Sequence, residues 1–484
     1  MLTAADQVPP AYRGVSLLHG WLPPTLWVLA GVALIAAIGW RTRRWRLIWL
    51  PCAIAVGLGL TAWARWFVHS QGLAGDPAPA ALWIWIGLTG LAVAVLALGW
   101  RGSRWRRRTV SVAAVPLCLL SVGVSVNLWV GYFPTVTALW NEVTAGPLPG
   151  ETDLATALDQ RQRGEIPSHG ELVSVTIPAD ESGFKHRDEL VYLPPAWFAP
   201  SAPALPVVMM IAGEFNTPAD WARSGNALAT IDAFAAEHGG NTPVFVFVDV
   251  GGSFNNDTEC VNGPRGNVAD HLTKDVPPYL TSTFGVRDSG WGAVGWSMGG
   301  TCAVDLTVMH PELFSSFVDI AGDTGPNAGT REQTIARLYG GDSTAWATFD
   351  PATVIDKHGR YQGVSGWFVI SSDAPVKRGA HPANPDAIGL GGQDAGGNPG
   401  DQTEAAHTLC DLGRSHGITC AITALPGKHD WPFAEEVLST TLPWLAGAVG
   451  TPGVPQVPLP AGGAAPPAPT AGGAAPPAPT AAPR

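Results

Sequence analysis

The sequence predicts an α-helical membrane region of four spans followed by an α/β domain with a mostly parallel sheet. Three observations carry that reading. Four apolar stretches, near 24–40, 47–64, 80–100 and 109–133, approach or exceed the about 20 residues that a helix needs to cross about 30 Å of hydrocarbon. From residue 171 onward, short Val/Ile/Phe-rich runs alternate with helix-like segments, the pattern of strands joined by crossover helices. Charge also divides the chain near residue 150, with eleven arginines, no lysine and three acids before it, and 17 basic against 36 acidic residues after it.

The first half reads as an anchor. Thirteen of the 21 tryptophans precede residue 150 and cluster beside arginines at the ends of the apolar runs, as interfacial residues do. The first run is a retained span and not a signal peptide, because its basic residues (Arg41, Arg43, Arg44, Arg46) follow it. The Arg-rich loops "RTRRWR" and "RGSRWRRR" mark the cytoplasmic side, while "HSQGLAGDPAPA" between spans two and three is nearly free of basic charge. Both termini, and everything after the fourth span, are therefore expected outside a plasma membrane that the chain crosses several times. The span interiors lack ionisable residues apart from Arg65 at a helix end, which favours an anchor over a transport path. The acidic second half is a poor partner for nucleic acid, whose phosphates call for Lys and Arg.

The expected organisation is an anchor over 1–133, a linker over 134–170, the α/β domain over 171–448 and a disordered tail over 449–484. The tail is Pro, Ala and Gly with "AGGAAPPAPT" twice in tandem at 461–470 and 471–480, a composition that cannot bury a core. In the α/β domain the strand candidates are "LVSVTI", "DELVYL", "PVVMMIAG", "PVFVFVDV", "WGAVGWS", "SSFVDIAG", "GWFVISSD" and "CAITALPG". Helix-like segments lie at 218–238, 266–284, 299–310 and 402–416. Cys52 and Cys118 fall in the spans. Cys260, Cys302, Cys410 and Cys420 face an oxidising compartment in this topology, where three pairings are open; 260–302 and 410–420 are favoured. Their spacing does not suit zinc, and the chemistry below needs neither metal nor cofactor.

That chemistry starts at "GAVGWSMGGTCAV", residues 292–304, an apolar strand that ends on a serine between glycines. Gly295, Ser297 and Gly299 form G-x-S-x-G between a strand and a helix, the context of a nucleophile elbow. A serine hydroxyl needs a histidine to take its proton and an acid to orient that histidine. His429 in "PGKHDWPF", after the last strand, is the expected base. Asp373, directly after "GWFVISS", is the preferred acid; Asp394 in a Gly-rich loop and Asp323 after the preceding strand are alternatives, and Asp430 is expected to cap locally. Oxyanion donors are the amide of Met298 and, from the loop that ends "MMIAGEF", the amide of Glu214 or Phe215, with Glu214 chosen. Glu214 as a catalytic acid is the weaker reading, because it precedes the serine.

Together "RDELVYLPPAWF", "PVVMMIAG", "GWSMGGTCAV" and "GKHDWPF", spread over 171–448, resemble the putative esterase family of α/β-hydrolases, which includes esterase D and the antigen 85 mycolyltransferases. The resemblance implies an α/β-hydrolase domain, with Ser297 and His429 as nucleophile and base, Gly213-Glu214 as oxyanion loop and Met298 as its partner amide. Two departures matter: the mycolyltransferases use a glutamate where Asp373 stands, and they are secreted without a four-span anchor. The resemblance therefore implies serine-ester chemistry more firmly than it implies mycolate. Abundant Gly, Ala, Pro and Arg with scarce lysine suggests a high-GC actinobacterium. The expected substrate is an ester of a lipid or cell-envelope component, with aminoacyl phospholipid esters as an option, since an acidic domain favours a cationic group. A catalytically inactive esterase-fold scaffold of the envelope is the rival reading.

Overall fold

The computed structural model describes the chain except residues 1–13, 40, 72–77, 102, 131, 134, 145, 147, 254–255, 372–398, 428 and 462–484. Among the described residues, three apolar helical segments are long enough to cross a membrane: Trp45–Val68, Ala80–Gly99 and Trp105–Trp129. The first of the four expected spans is a shorter helix, Leu22–Ile38, of 17 residues. At 1.5 Å per residue it is about 25 Å long, a little under the hydrocarbon thickness. We label Leu22–Ile38 α1, Leu50–Gln71 α2, Ala80–Gly99 α3 and Trp105–Val130 α4. Helices α2 and α3 meet at Gly57, Gly87 and Gly90, where a Cβ on Gly57 would strike the Gly87 carbonyl, so small residues set how closely the backbones approach. Large apolar side chains such as Ile35, Leu58, Trp66, Ile84 and Leu120 face outward. At the helix ends Arg41 lies 3.9 Å over the Trp45 ring and Arg108 lies 5.2 Å over Trp100, a cation–π pairing.

The second half is built on a nine-stranded sheet. Its strands are β1 (Glu151–Thr152), β2 (Glu171–Val175), β3 (Glu189–Leu193), β4 (Val207–Ile211), β5 (Val244–Val248), β6 (Trp291–Trp296), β7 (Phe314–Ile320), β8 (Ser365–Ser371) and β9 (Thr419–Leu425). They are ordered β1-β2-β3-β5-β4-β6-β7-β8-β9, and only the β2–β3 and β3–β5 pairings are antiparallel. All eight strand candidates from the sequence are present, and the ninth strand is a two-residue edge. Strands β4, β5 and β6 are buried at every residue, so they read as unbroken apolar runs, as strands covered on both faces must. One core holds Met209, Val246 and Phe317, the other Met210, Phe247 and Val318, so neighbouring residues on a strand feed opposite faces.

Several details differ from the sequence reading. The segment expected to be a linker contains a helix at Leu154–Arg163, capped by Asp153, as well as strand β1. Three short helices, Arg331–Leu338, Ser343–Trp346 and Pro351–His358, fill the space between β7 and β8. The tail does not leave the domain at 449. Val454 and Leu459 pack against the core, and Arg287 bonds the Val449 and Gly450 carbonyls at 3.0 and 2.9 Å. The tandem repeats from 462 onward lie outside the described residues. The two expected disulfides form, Cys260–Cys302 and Cys410–Cys420. Just after α4, the Tyr132 hydroxyl donates to Asp220 at 2.6 Å, and the same carboxylate oxygen accepts the Thr217 amide.

Candidate active site

The parallel register brings Ile211, Gly295 and Asp319 level at the carboxyl ends of β4, β6 and β7, the edge where open α/β sheets place their ligands. Ser297 stands at the tip of β6 with φ 58° and ψ −122°, a conformation that L residues rarely adopt. The flanking glycines make the turn possible, since a Cβ on Gly295 would overlap the Gly299 carbonyl and one on Gly299 would overlap the Ile211 carbonyl. The helix that begins at once, α5 (Met298–Met309), points its first amides toward the serine side of the turn, where an α-helix has no internal acceptors for them.

His429 follows β9 by four residues and reaches back to the serine. Its Nε2 lies 3.0 Å from Ser297 Oγ, 132 residues earlier in the chain. The imidazole stacks on Trp296 with ring centroids 4.2 Å apart, and Trp296 in turn packs on Trp431 and Phe433. Burial in this apolar setting pushes the His429 pKa down to about 4, so the ring is neutral near pH 7 and its Nε2 can accept a proton. Gln402, on α6 (Pro399–Ser415), places its side-chain nitrogen 3.4 Å from His429 Nδ1. Asp430 caps α7 (Trp431–Ala448), its Oδ1 accepting the Phe433 amide at 3.3 Å.

Of the three candidate acids, Asp373 and Asp394 lie outside the described residues. Strand β8 ends at Ser371, which pairs with Leu425 of β9 and donates from its hydroxyl to the Gly427 carbonyl. Asp323 is buried, accepts the Asn327 side-chain amide at 2.7 Å and has Glu259 as an electrostatic neighbour.

The loop after β4 runs beside the serine. A Cβ added at Gly213 would come within 3.2 Å of Ser297 Cβ and 3.1 Å of the Trp296 carbonyl, so the backbone of 213–214 passes the nucleophile closely. Phe215 has φ 68° and bends the loop. One support of this loop was not foreseen from the sequence. Arg187 donates to the Asn216 carbonyl at 2.9 Å and holds Asp249, at the end of β5, through Nε at 3.1 Å and Nη2 at 2.6 Å. Burial raises the Asp249 carboxyl, but the Arg187 guanidinium and backbone amides outweigh it and leave the group below its ordinary value. No local sequence signal pairs Arg187 with Asp249, 62 residues further on.

Among the described residues, His186, Glu189 and His271 bring three potential metal-ligand atoms within 4.8 Å of one another. The His186 ring nitrogens each lie 2.8 Å from a backbone carbonyl, of Arg187 and of Ile177, while His271 spans Glu189 and Asp275 at 3.1 and 3.2 Å. The two rings stack 4.2 Å apart and 26° from parallel. Lone pairs in nearly parallel planes do not converge on one ion, so the cluster as it stands is a stacked imidazole pair, His271 held by two carboxylates and His186 by two backbone carbonyls.

The family model described as "Putative esterase" matches residues 185–378. An uncharacterised protein of Corynebacterium glutamicum is 29% identical over 434 residues, covering 86% of this chain and 92% of that one. The diacylglycerol acyltransferase/mycolyltransferase Ag85A of Mycobacterium ulcerans is 30% identical over 99 residues, which is 18% of this chain and 29% of that protein. The fold also aligns with an S-formylglutathione hydrolase from Agrobacterium tumefaciens at TM-score 0.44 and 18% identity, over 59% of this chain and 97% of that one.

Proposed function

We propose that this chain, whose residues 185–378 match the putative esterase family, is a membrane-anchored, extracytoplasmic serine esterase or acyltransferase that acts on an ester of a lipid or cell-envelope component. Hydrolase or acyltransferase chemistry is what that match and the Ag85 relatives support. The observation that carries the reading is the 3.0 Å approach of His429 Nε2 to Ser297 Oγ at a strained turn. Ser297 Oγ bonds to the acyl carbon while its proton passes to His429 Nε2. The carbonyl electrons then return, the ester C–O bond breaks, and His429 gives the proton to the departing alcohol. Water or an acceptor alcohol repeats the steps on the acyl-enzyme, yielding an acid or a new ester.

The amides of Met298 and Glu214 hold the oxyanion, and Asp373, two residues past β8, orients His429 from the Nδ1 side. The helices α1 to α4 form the anchor, with the Arg-rich loops inside the cell and the catalytic half and both termini outside. Such a tether holds the site near lipid-borne substrate and raises its effective concentration.

A fluorophosphonate probe tests the reading. The full chain in detergent should label, and Ser297→Ala should abolish the label; absence of labelling in the wild type would favour the inactive-scaffold reading. Lipid profiles of a strain lacking the protein and one carrying Ser297→Ala should then show the same accumulating ester.

A further inference from the structure

We infer that the helix Val136–Thr144 is an interfacial helix whose apolar face docks on the outer lipid surface and holds the loop beside Ser297 at the membrane; this rests on the anchored reading above. The helix starts shortly after α4 ends at Val130. Its residues Val136, Trp140 and Val143 recur at i, i+4 and i+7, the spacing that gathers side chains on one helix face. They are 41%, 66% and 71% exposed, while Ala138 on the opposite face is buried. A helix that turns alanine toward protein and tryptophan and valine outward is built for an apolar surrounding.

Its position says what covers that face. Ser16, ahead of α1, forms an antiparallel bridge with Thr135, so the helix sits at the end of the bundle where α1 begins and α4 finishes. Trp21, just before α1, is exposed at the same end. Leu119, Leu120 and Val126 face outward along α4, and the apolar face of the helix continues the surface they form. The Arg-rich loops meet at the other end, where Arg41 donates to the Gly99 carbonyl at 3.1 Å. An amphipathic helix bearing an exposed tryptophan, at the end of an apolar bundle and away from its arginines, lies where hydrocarbon gives way to head groups.

Two ties bracket this helix and join it to the reaction. Before it, the Tyr132 hydroxyl donates to Asp220 at 2.6 Å; after it, the Gly146 carbonyl accepts Arg223 Nη2 at 3.0 Å. Asp220 and Arg223 are the first and last residues of one short helix, and that helix follows the loop whose Gly213 passes Ser297. Leu148 then enters the same core as Trp221. With its apolar face in the lipid surface, the segment fixes the rim of the serine site beside the membrane. An ester held in the bilayer then reaches Ser297 from the lipid side, which favours long-chain, membrane-borne esters over short esters dissolved in water.

The test reads depth with a fluorophore. The full chain carrying Cys52→Ala, Cys118→Ala and Val143→Cys is labelled with NBD and reconstituted in phosphatidylcholine vesicles. Lipids bearing a nitroxide near the head group should quench this label, and should leave unquenched a label at Gln162→Cys on the α/β half. Leu58→Cys on α2 reports the anchor separately. A Val143 label that stays in water while the Leu58 label is quenched overturns the interfacial helix and leaves the anchor intact. A Leu58 label that escapes quenching overturns the anchor, and the proposal with it. A Val143 label shielded from water yet untouched by the nitroxide lipids means that protein covers the face, which also overturns the proposal. These depth readings do not depend on the serine chemistry. For the link to catalysis, the double variant Trp140→Asp, Val143→Asp should lower kcat/KM about tenfold for p-nitrophenyl palmitate carried in the vesicles, equivalent to about 1.4 kcal/mol, and leave p-nitrophenyl acetate unchanged. An equal loss on both esters, or on neither, overturns the coupling of the helix to the site.

Discussion

Replacing Arg187 with glutamine tests whether the oxyanion loop is braced from outside the catalytic residues. The substitution removes the two side-chain bonds to Asp249 and the bond to the Asn216 carbonyl. Breaking a buried ion pair by deleting one partner costs about 3–5 kcal/mol. Here the arginine side chain is 29% exposed, and Asp249 keeps the backbone amides of Arg187, Gly251 and Gly252. The low end applies, about 3 kcal/mol, with about 1 kcal/mol more for the Asn216 bond. For a domain of this size each kcal/mol moves Tm by about 2–4 °C, so thermal unfolding of Arg187→Gln should fall by roughly 10 °C. The activity should fall further than folding explains: an ångström of drift in a positioned group can cost about 100-fold, visible in kcat at a temperature where both proteins are folded. The pH dependence is signed. Asp249 titrates below its ordinary value in the folded chain, so its contribution is complete above the unfolded value of about 3.9 and fades as pH drops through the lower folded value. The Tm gap between wild type and variant should therefore close in acid. A variant with a lowered Tm but unchanged kcat would refute the bracing role.

Two further outcomes follow from the geometry. With burial holding the His429 pKa near 4, kcat/KM should stay level from neutral pH well below the ordinary histidine value of about 6.5 and fall only near pH 4; a limb at or above about pH 7 would show that burial is not the dominant influence. Because protonation of this ring disfavours the folded state, the group costs stability as pH falls from about 6.5 toward 4. The two disulfides close loops of 42 and 10 residues. In the chain-entropy account, removing Cys260–Cys302 as a paired serine variant should cost about 4 kcal/mol and removing Cys410–Cys420 about 3. Denaturant titration checks the order, and a reversed order would count against that account.

The parts legible in the sequence were those written in local chemistry. Strands such as "PVFVFVDV" announce themselves because burial on both faces demands unbroken apolar residues. Ser297 announces itself because only glycines tolerate the approach of the Gly299 and Ile211 carbonyls. His429 was found by chain order alone, and the structure brings it to the serine. The features not legible are those that arise only when distant segments meet. Arg187 and Asp249 are 62 residues apart, and nothing in either neighbourhood names the other. The buried carboxyls of Glu214, Asp257, Glu259 and Asp323 meet from three separate loops. The ordered stretch at 449–461 escaped notice because Pro- and Gly-rich composition hides a few well-placed apolar contacts, those of Val454 and Leu459. The 17-residue length of α1 depends on where the helix stops, which hydropathy leaves vague.

The Tyr132 hydroxyl and the Thr217 amide share one oxygen of Asp220. That single atom fastens the strap leaving α4 to the turn three residues past Glu214. The α/β half is thus tied to the helices before it through the same loop that passes Ser297. If that loop holds the oxyanion, as proposed, a displacement of one half against the other would be felt at the proposed site, so reach and competence would share one knot.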